Sequence, residues 1–191
     1  MNIEEAIYKR RTIRRYKQDP IPNDILKKLI DYARIAPAGS NIQSLEFIIV
    51  ESNEMRQKLF PLVKWASSLP KDKRTPENGR EPTAYIIVLV NINIKESYVD
   101  FDVGAAVENI LLGALSYGLG SCWIGSIKGS KIKTLFEIPE NYEIKHVISL
   151  GYPDETSVVE PFEGSFKYWK DEQGNMHVPK RALNDVILKI Y

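Results

Sequence analysis

Two hydrophobic periods organise this chain, one helical and one of short buried strands. Asn2, with Glu5 three residues on, has the arrangement of a capping box, and Ile3, Ala6 and Ile7 fall on one face of the helix it opens. A second helix is predicted from near Asn23, through Ile25, Leu26, Leu29, Ile30 and Ala33. It stops before Pro37, because the residue preceding a proline is driven out of the helical region. Between the two, Arg10 to Lys17 reads as an extended segment. The runs Glu46 to Glu51 and Tyr85 to Asn93 are β-branched, apolar and bounded by polar residues, the pattern of strands covered on both faces.

From Phe101 to Tyr117 the apolar positions Val103, Ala106, Val107, Ile110, Leu111, Ala114 and Leu115 keep a helical period, interleaved with small residues, so this helix is buried on most of its circumference. Gly118 suits the position just past its end. A strand at Ser121 to Ile127, a short helix around Lys131 to Phe136 and a strand at Glu143 to Gly151 follow, and Phe162 to Val178 reads as a hairpin turning at Gln173, Gly174 and Asn175. The order implies an α+β fold, a mixed central sheet flanked by helices, in one domain of residues 1–191. Ser67 to Pro82 is a polar excursion of mixed charge, either a solvated loop or irregular helix or a lid over substrate.

Composition narrows the chemistry. Lys and Arg number 26 against 25 Asp and Glu, a net charge of +1, without the basic excess that nucleic acid or an anionic membrane surface selects. The acidic start and a longest apolar run of Tyr85 to Val90 match neither a signal peptide nor a membrane span, so a cytoplasmic location is expected. One cysteine, Cys122, and two histidines cannot build a disulfide, a structural zinc site or an iron–sulfur cluster, so no metal is expected and hard redox chemistry has to come from an organic cofactor. Cys122 reads as a small buried hydrophobe, with nothing adjacent to depress its pKa.

Against that near-zero net charge, residues 9–17 hold six basic side chains: Lys9, Arg10, Arg11, Arg14, Arg15 and Lys17. Arg10 continues the face of Ile3 and Ile7, which directs a guanidinium toward the core side, where a phosphate or carboxylate partner is required. The bland alternative is a solvated basic face. Ala36 to Gln43 gathers small and amide residues between a helix and a strand, suited to close approach of a flat ligand or simply to turn geometry. Gly118-Leu119-Gly120 is no dinucleotide fingerprint, because the third glycine is replaced by Trp123 and the motif runs from helix into strand.

Taken together these blocks resemble the FMN-dependent nitroreductase family. Arg10-Arg11-Thr12-Ile13-Arg14-Arg15-Tyr16 is similar to its R-R-S-[IV]-R-x-[FY] signature, and Ala36 to Gln43 to its A-P-S-x-x-N-x-Q-P-W block. Asp102 to Asn109 and Gly118 to Gly125 resemble its D-x-G-A-A-x-x-N helix and following strand, and Gly151-Tyr152-Pro153 its G-Y-P turn. The resemblance implies a homodimer with two FMN at the subunit interface, reduced by NADH or NADPH in a ping-pong cycle. Carried over by position, Arg10 meets the FMN phosphate, Arg11 and Thr12 the phosphate and ribityl side, and Arg14 the pyrimidine edge. Pro37, Ala38, Gly39 and Asn41 lie along the ring and its tail, and Lys180 and Arg181, from the same or the other subunit, close on the phosphate.

Three departures from the pattern stand out: Ser44-Leu45 in place of P-W, Ala38 in place of a serine, and Thr12 in place of another. The first removes a large aromatic from the pocket floor. The expected activity is reduction of a small electron-poor acceptor, such as a nitroaromatic, quinone or activated alkene, with no evident general acid. A flavin-binding role in dehalogenation, flavin breakdown or flavin storage is the other reading within the family.

Overall fold

A computed structural model describes residues 1–95 and 97–191. In chain order it contains α1 (Ile3–Lys9), α2 (Asn23–Arg34), β1 (Leu45–Val50), α3 (Asn53–Leu59), α4 (Lys71–Arg74), β2 (Ala84–Asn91), α5 (Val99–Ser116), β3 (Gly120–Ile124), α6 (Gly129–Leu135), β4 (Tyr142–Gly151), β5 (Ser157–Pro161), β6 (Trp169–Lys170), β7 (Met176–Lys180) and α7 (Leu183–Val186). The strands predicted from hydrophobic runs form a four-stranded sheet in the order β1-β2-β4-β3.

All three pairings in that sheet are antiparallel, which narrows the expectation of a mixed central sheet. Parallel geometry enters only at its edge, where Thr12 bridges Ser121, and in a smaller sheet ordered β5-β7-β6, whose β5 and β7 run parallel. β2 is buried along nearly its whole length because helices cover both faces. On one face Ile86, Val88, Ile148 and Leu150 pack with α2 and α5; on the other Tyr85, Ile87, Cys122 and Val147 pack with Leu59, Trp65, Ile132 and Met176.

The helix caps follow the sequence. Asn2 accepts a hydrogen bond from the Glu5 N–H. After α5 the N–H of Gly118 bonds the Leu115 carbonyl and that of Leu119 bonds Ala114, a Schellman closure that needs the positive φ of Gly118 (+72°). The 173–175 turn also forms as expected, joining β6 to β7.

α1 corrects an expectation. Ala6 alone is buried, while Ile3 is 75% exposed and Ile7 and Tyr8 also face solvent, as do Tyr98 and Phe101 around the start of α5 and Leu188, Ile190 and Tyr191 at the C-terminus. The apolar stripe read as core-facing is an uncovered surface of the chain. The 67–82 excursion contains α4, buries Leu69, and is tied back to residue 15 through Glu77.

Candidate functional site

The basic segment leaves α1 as extended chain and runs along the outer edge of β3. Ile13 donates its N–H to the Ser121 carbonyl at 2.9 Å, Tyr16 is fully buried, and Tyr16 Oη bonds the Ile13 carbonyl and Ser149 Oγ. Two glycines make room for it: a Cβ at Gly120 would lie 2.8 Å from Ile13, and one at Gly151 would lie 2.7 Å from Tyr16. Its arginines are divided among three environments.

Arg15 occupies the first. Its side chain is 3% exposed, with Nε and Nη2 donating to Glu77 at 2.6 and 2.7 Å and Nη1 3.4 Å from Glu155. Glu155, 2% exposed, also accepts the Arg14 N–H at 2.6 Å and pairs with Lys170 at 3.0 Å. These hydrogen bonds outweigh burial and hold the Arg15 guanidinium above its usual pKa; the Arg15 bond is the main cause that draws Glu77 down to about 2. The guanidinium expected on the core side is therefore Arg15. Arg10 instead stays near the surface, 3.4 Å from Glu108 of α5.

The second environment is a cleft of about 180 Å³ lined by Lys9, Arg10, Arg11, Leu115, Ser121 and Ser157, with no carboxylate among its described lining residues. Arg11 Nε and Ser157 Oγ are buried there without a partner. Burial, and secondly repulsion from Arg10, lower the Arg11 pKa. Two buried donors that have no partner among the described residues, beside a second arginine, call for an anion with several acceptor oxygens.

Arg14 enters the third, a cleft of about 280 Å³ beyond the end of β3, lined also by Lys64, Trp65, Arg74, Cys122, Trp123, Ser126 and Tyr168. Its guanidinium lies 5.1 Å from the Tyr168 ring centre. Cys122 is buried and its thiol is raised by that burial, so it is a packing residue, as expected. Burial lowers His146, whose ring meets Trp123 edge-on at 5.2 Å.

The other predicted residues lie elsewhere in the chain. Pro37 and Ala38 line a cleft of about 120 Å³ with Phe47, Asp102 and Ala106; Gly39 donates its N–H to Asp102 at 2.9 Å. Ser40, Asn41 and Gln43 all have positive φ, so the loop is wound into a conformation costly for two of the three. This loop feeds β1, three strand spacings (~14 Å) from β3, and at the opposite end of the strands, since Val50, not Leu45, lines up with the Gly120 end. Lys180 ends β7 and Arg181 follows it, both in exposed positions. Ser157 pairs with Met176 and Lys180 with Pro161, which leaves Lys180 four residues, ~13 Å, along the ladder from the Arg11 cleft. Arg181 is engaged by the Asp185 carbonyl.

Lys64, Trp65, Arg74, Trp123, Ser126 and Ser157 were not identified as cleft residues from the sequence. Backbone pairing assembles them: the Lys64 N–H bonds the Ser126 carbonyl and Val63 bridges Ile127. Among the described residues no cluster of His, Cys, Asp and Glu could hold a metal ion, and no helix is long and apolar enough to cross a membrane.

The chain is 34% identical, over 156 residues covering 78% of it and 84% of the relative, to a "Putative NADH dehydrogenase/NAD(P)H nitroreductase" of Archaeoglobus fulgidus. Among solved structures it resembles the protein of that name from Parabacteroides distasonis (25% identity, 85% of this chain and 92% of that one, TM-score 0.67). It also resembles an "FMN-dependent Nitroreductase" of Clostridium difficile (25% identity, 80% and 88%, TM-score 0.64). The model of the nitroreductase family matches residues 7–152, a span that takes in the basic segment, the small-residue loop and the whole four-stranded sheet, and the chain belongs to that family.

Proposed function

We propose that this chain is an FMN-dependent oxidoreductase that takes hydride from NADH or NADPH and reduces a small electron-poor acceptor: a nitroaromatic, a quinone or an activated alkene. One observation carries the reading: a cationic strand edge joins a carboxylate-free cleft with orphaned buried donors to an aromatic-walled cleft entered by Arg14. The first fits a phosphate, which supplies acceptors for Arg11 Nε and Ser157 Oγ, with Arg10 and Lys9 beside them. The second fits a planar ring.

Bound there, FMN supplies hydride transfer at N5. The chain's own contribution is electrostatic. Arg14 places a fixed cation where reduction accumulates negative charge, and the Glu155 carboxylate, by accepting its N–H, fixes the backbone that carries it. Thr12, between Arg11 and Arg14 in the chain and bridged to Ser121, would meet the cofactor's tail.

Distance supports assembly as a homodimer. Within one chain the loop of Pro37, Ala38, Gly39 and Asn41 enters β1, three strands across the sheet from the β3 edge that carries Arg14, which favours their reaching the ring from a second copy. Lys180 and Arg181 are assigned to the phosphate on the same basis. The uncovered apolar side chains of α1, of the start of α5 and of the C-terminal residues supply a surface for that copy to bury. The protomer is one domain of residues 1–191, and a lone buried cysteine suits the reducing cytoplasm.

The test is the visible spectrum of the purified protein and the identity of the flavin released by acid, followed by NAD(P)H oxidation with an added acceptor. Bound FMN with acceptor-dependent turnover is expected. A colourless protein that cannot be loaded with FMN overturns the cofactor assignment, and bound FMN that NAD(P)H never reduces makes the chain a flavin carrier. Light scattering should give about twice 21.8 kDa; a monomer mass with flavin bound would refute the shared site.

A further inference from the structure

The cleft entered by Arg14 carries more positive charge than a flavin edge requires. Three cations line it, Arg14, Lys64 and Arg74, and no Asp or Glu does so among the described residues. A cleft of about 650 Å³ around Arg15 instead mixes Lys73, Arg80 and Lys170 with Asp72, Glu77 and Asp154. Lys64 is fixed through its backbone bond to Ser126, yet among the described residues its ammonium has no partner. Arg74 uses only Nε, donated to the Leu69 carbonyl at 2.6 Å, which leaves its terminal nitrogens unpaired among the described residues. Trp65, 6% exposed on the same wall, has a buried indole N–H with no acceptor.

A lining made of unsatisfied donors and cations is complementary to an anion, and Trp65, Trp123 and Tyr168 make it complementary to an aromatic ring. We propose that the acceptor is an anionic aromatic, a ring bearing a carboxylate beside its reducible group, and that Lys64 and Arg74 are the residues that select for the carboxylate. This rests on the flavin reading only in assigning Arg14 to the cofactor and leaving the other two cations for the acceptor. Arg74 belongs to α4, so the 67–82 excursion supplies part of the acceptor site.

The probes are 4-nitrobenzoate and its neutral isostere 4-nitrobenzamide. Their Kd values are read by quenching of tryptophan fluorescence in the protein as purified, and their kcat/KM values in turnover with NAD(P)H. Using the ratio of the two probes within each protein, then comparing ratios between proteins, cancels their different intrinsic reactivity. The parent should prefer the carboxylate by about tenfold or more, with Lys64→Gln and Arg74→Gln each shrinking the preference by roughly three- to tenfold and added salt shrinking it further. Lys64 is exposed and Arg74 half-buried, so a folding defect in one variant leaves the other to decide. Equal ratios in the parent and both variants, or no preference in the parent, overturn the proposal whatever the flavin content. A colourless protein whose carboxylate preference still depends on Lys64 and Arg74 supports the anion site and removes the FMN reading instead.

Discussion

Arg11 and Arg15 lie four residues apart on one extended segment, yet the molecule treats them oppositely. Around Arg15, Glu77, Glu155 and two backbone carbonyls gather on a nearly inaccessible guanidinium, and its charge is raised in pKa by its partners. Around Arg11 the Nε is equally hidden but unmatched among the described residues, and burial, together with a neighbouring arginine, lowers its pKa. Burial with a carboxylate makes a cation part of the fold; burial without one leaves a cation whose partner must come from outside.

The largest expected effect breaks the comparison on its structural side. Arg15→Met takes both guanidinium donors from Glu77, the donors of the Lys73 and Thr75 carbonyls, and one partner from Glu155, which keeps Lys170 and the Arg14 N–H, so stability should fall by about 3–5 kcal/mol. Urea unfolding should show a lower midpoint at unchanged slope, whereas Arg11→Met should leave the midpoint level or raise it; equal losses would erase the distinction. On the functional side, Arg14→Gln should keep FMN bound but slow its reduction by NAD(P)H, by on the order of 2–4 kcal/mol of barrier at most. Stopped-flow bleaching of the flavin reads this directly, and an unchanged rate would assign the charge stabilisation to another group.

Arg10→Ala and Arg11→Ala should weaken FMN binding by about 1.5–3 kcal/mol each, the worth of a charge-assisted bond. The oligomeric state and the melting temperature should be unchanged, and fluorescence titration measures the loss. The smallest effect is with pH. Glu77 falls from 4.5 to about 2 on folding, so its pairing stabilises above the unfolded value and is lost as pH drops from about 4.5 toward 2. Half of the Glu77 side chain is exposed, so solvent screening limits the contribution to at most about 1 kcal/mol. Acid titration of stability should lose that step in Arg15→Met.

The sequence made the elements legible wherever a local period existed: α2, α5, β2 and β4, with Gly118 marking the end of α5. It also located the cationic strand. It did not show which arginine would be buried, because the partners of Arg15 lie 62 and 140 residues away and leave no trace in spacing. The same separation hid Ser157, Lys64 and Trp65, and the all-antiparallel register of the main sheet, which depends on connections rather than on strand composition. Ile3 and Ile7 were misplaced for a different reason: periodicity records that a face is to be covered, not whether its own chain covers it.

Gly120 and Gly151 turn the edge of the sheet into a ruler. Ile13 and Tyr16 pack directly on these glycines and the Ile13 N–H bonds the Ser121 carbonyl, so the offset between residues 11 and 14 is that of three extended residues, ~10 Å. A ligand is thereby measured by length as well as by charge: one end must satisfy the phosphate cleft while the ring reaches the aromatic one, and a molecule lacking its anionic end engages only half the scale. A single methyl group, as in Gly120→Ala or Gly151→Ala, would change that calibration without touching any charged side chain.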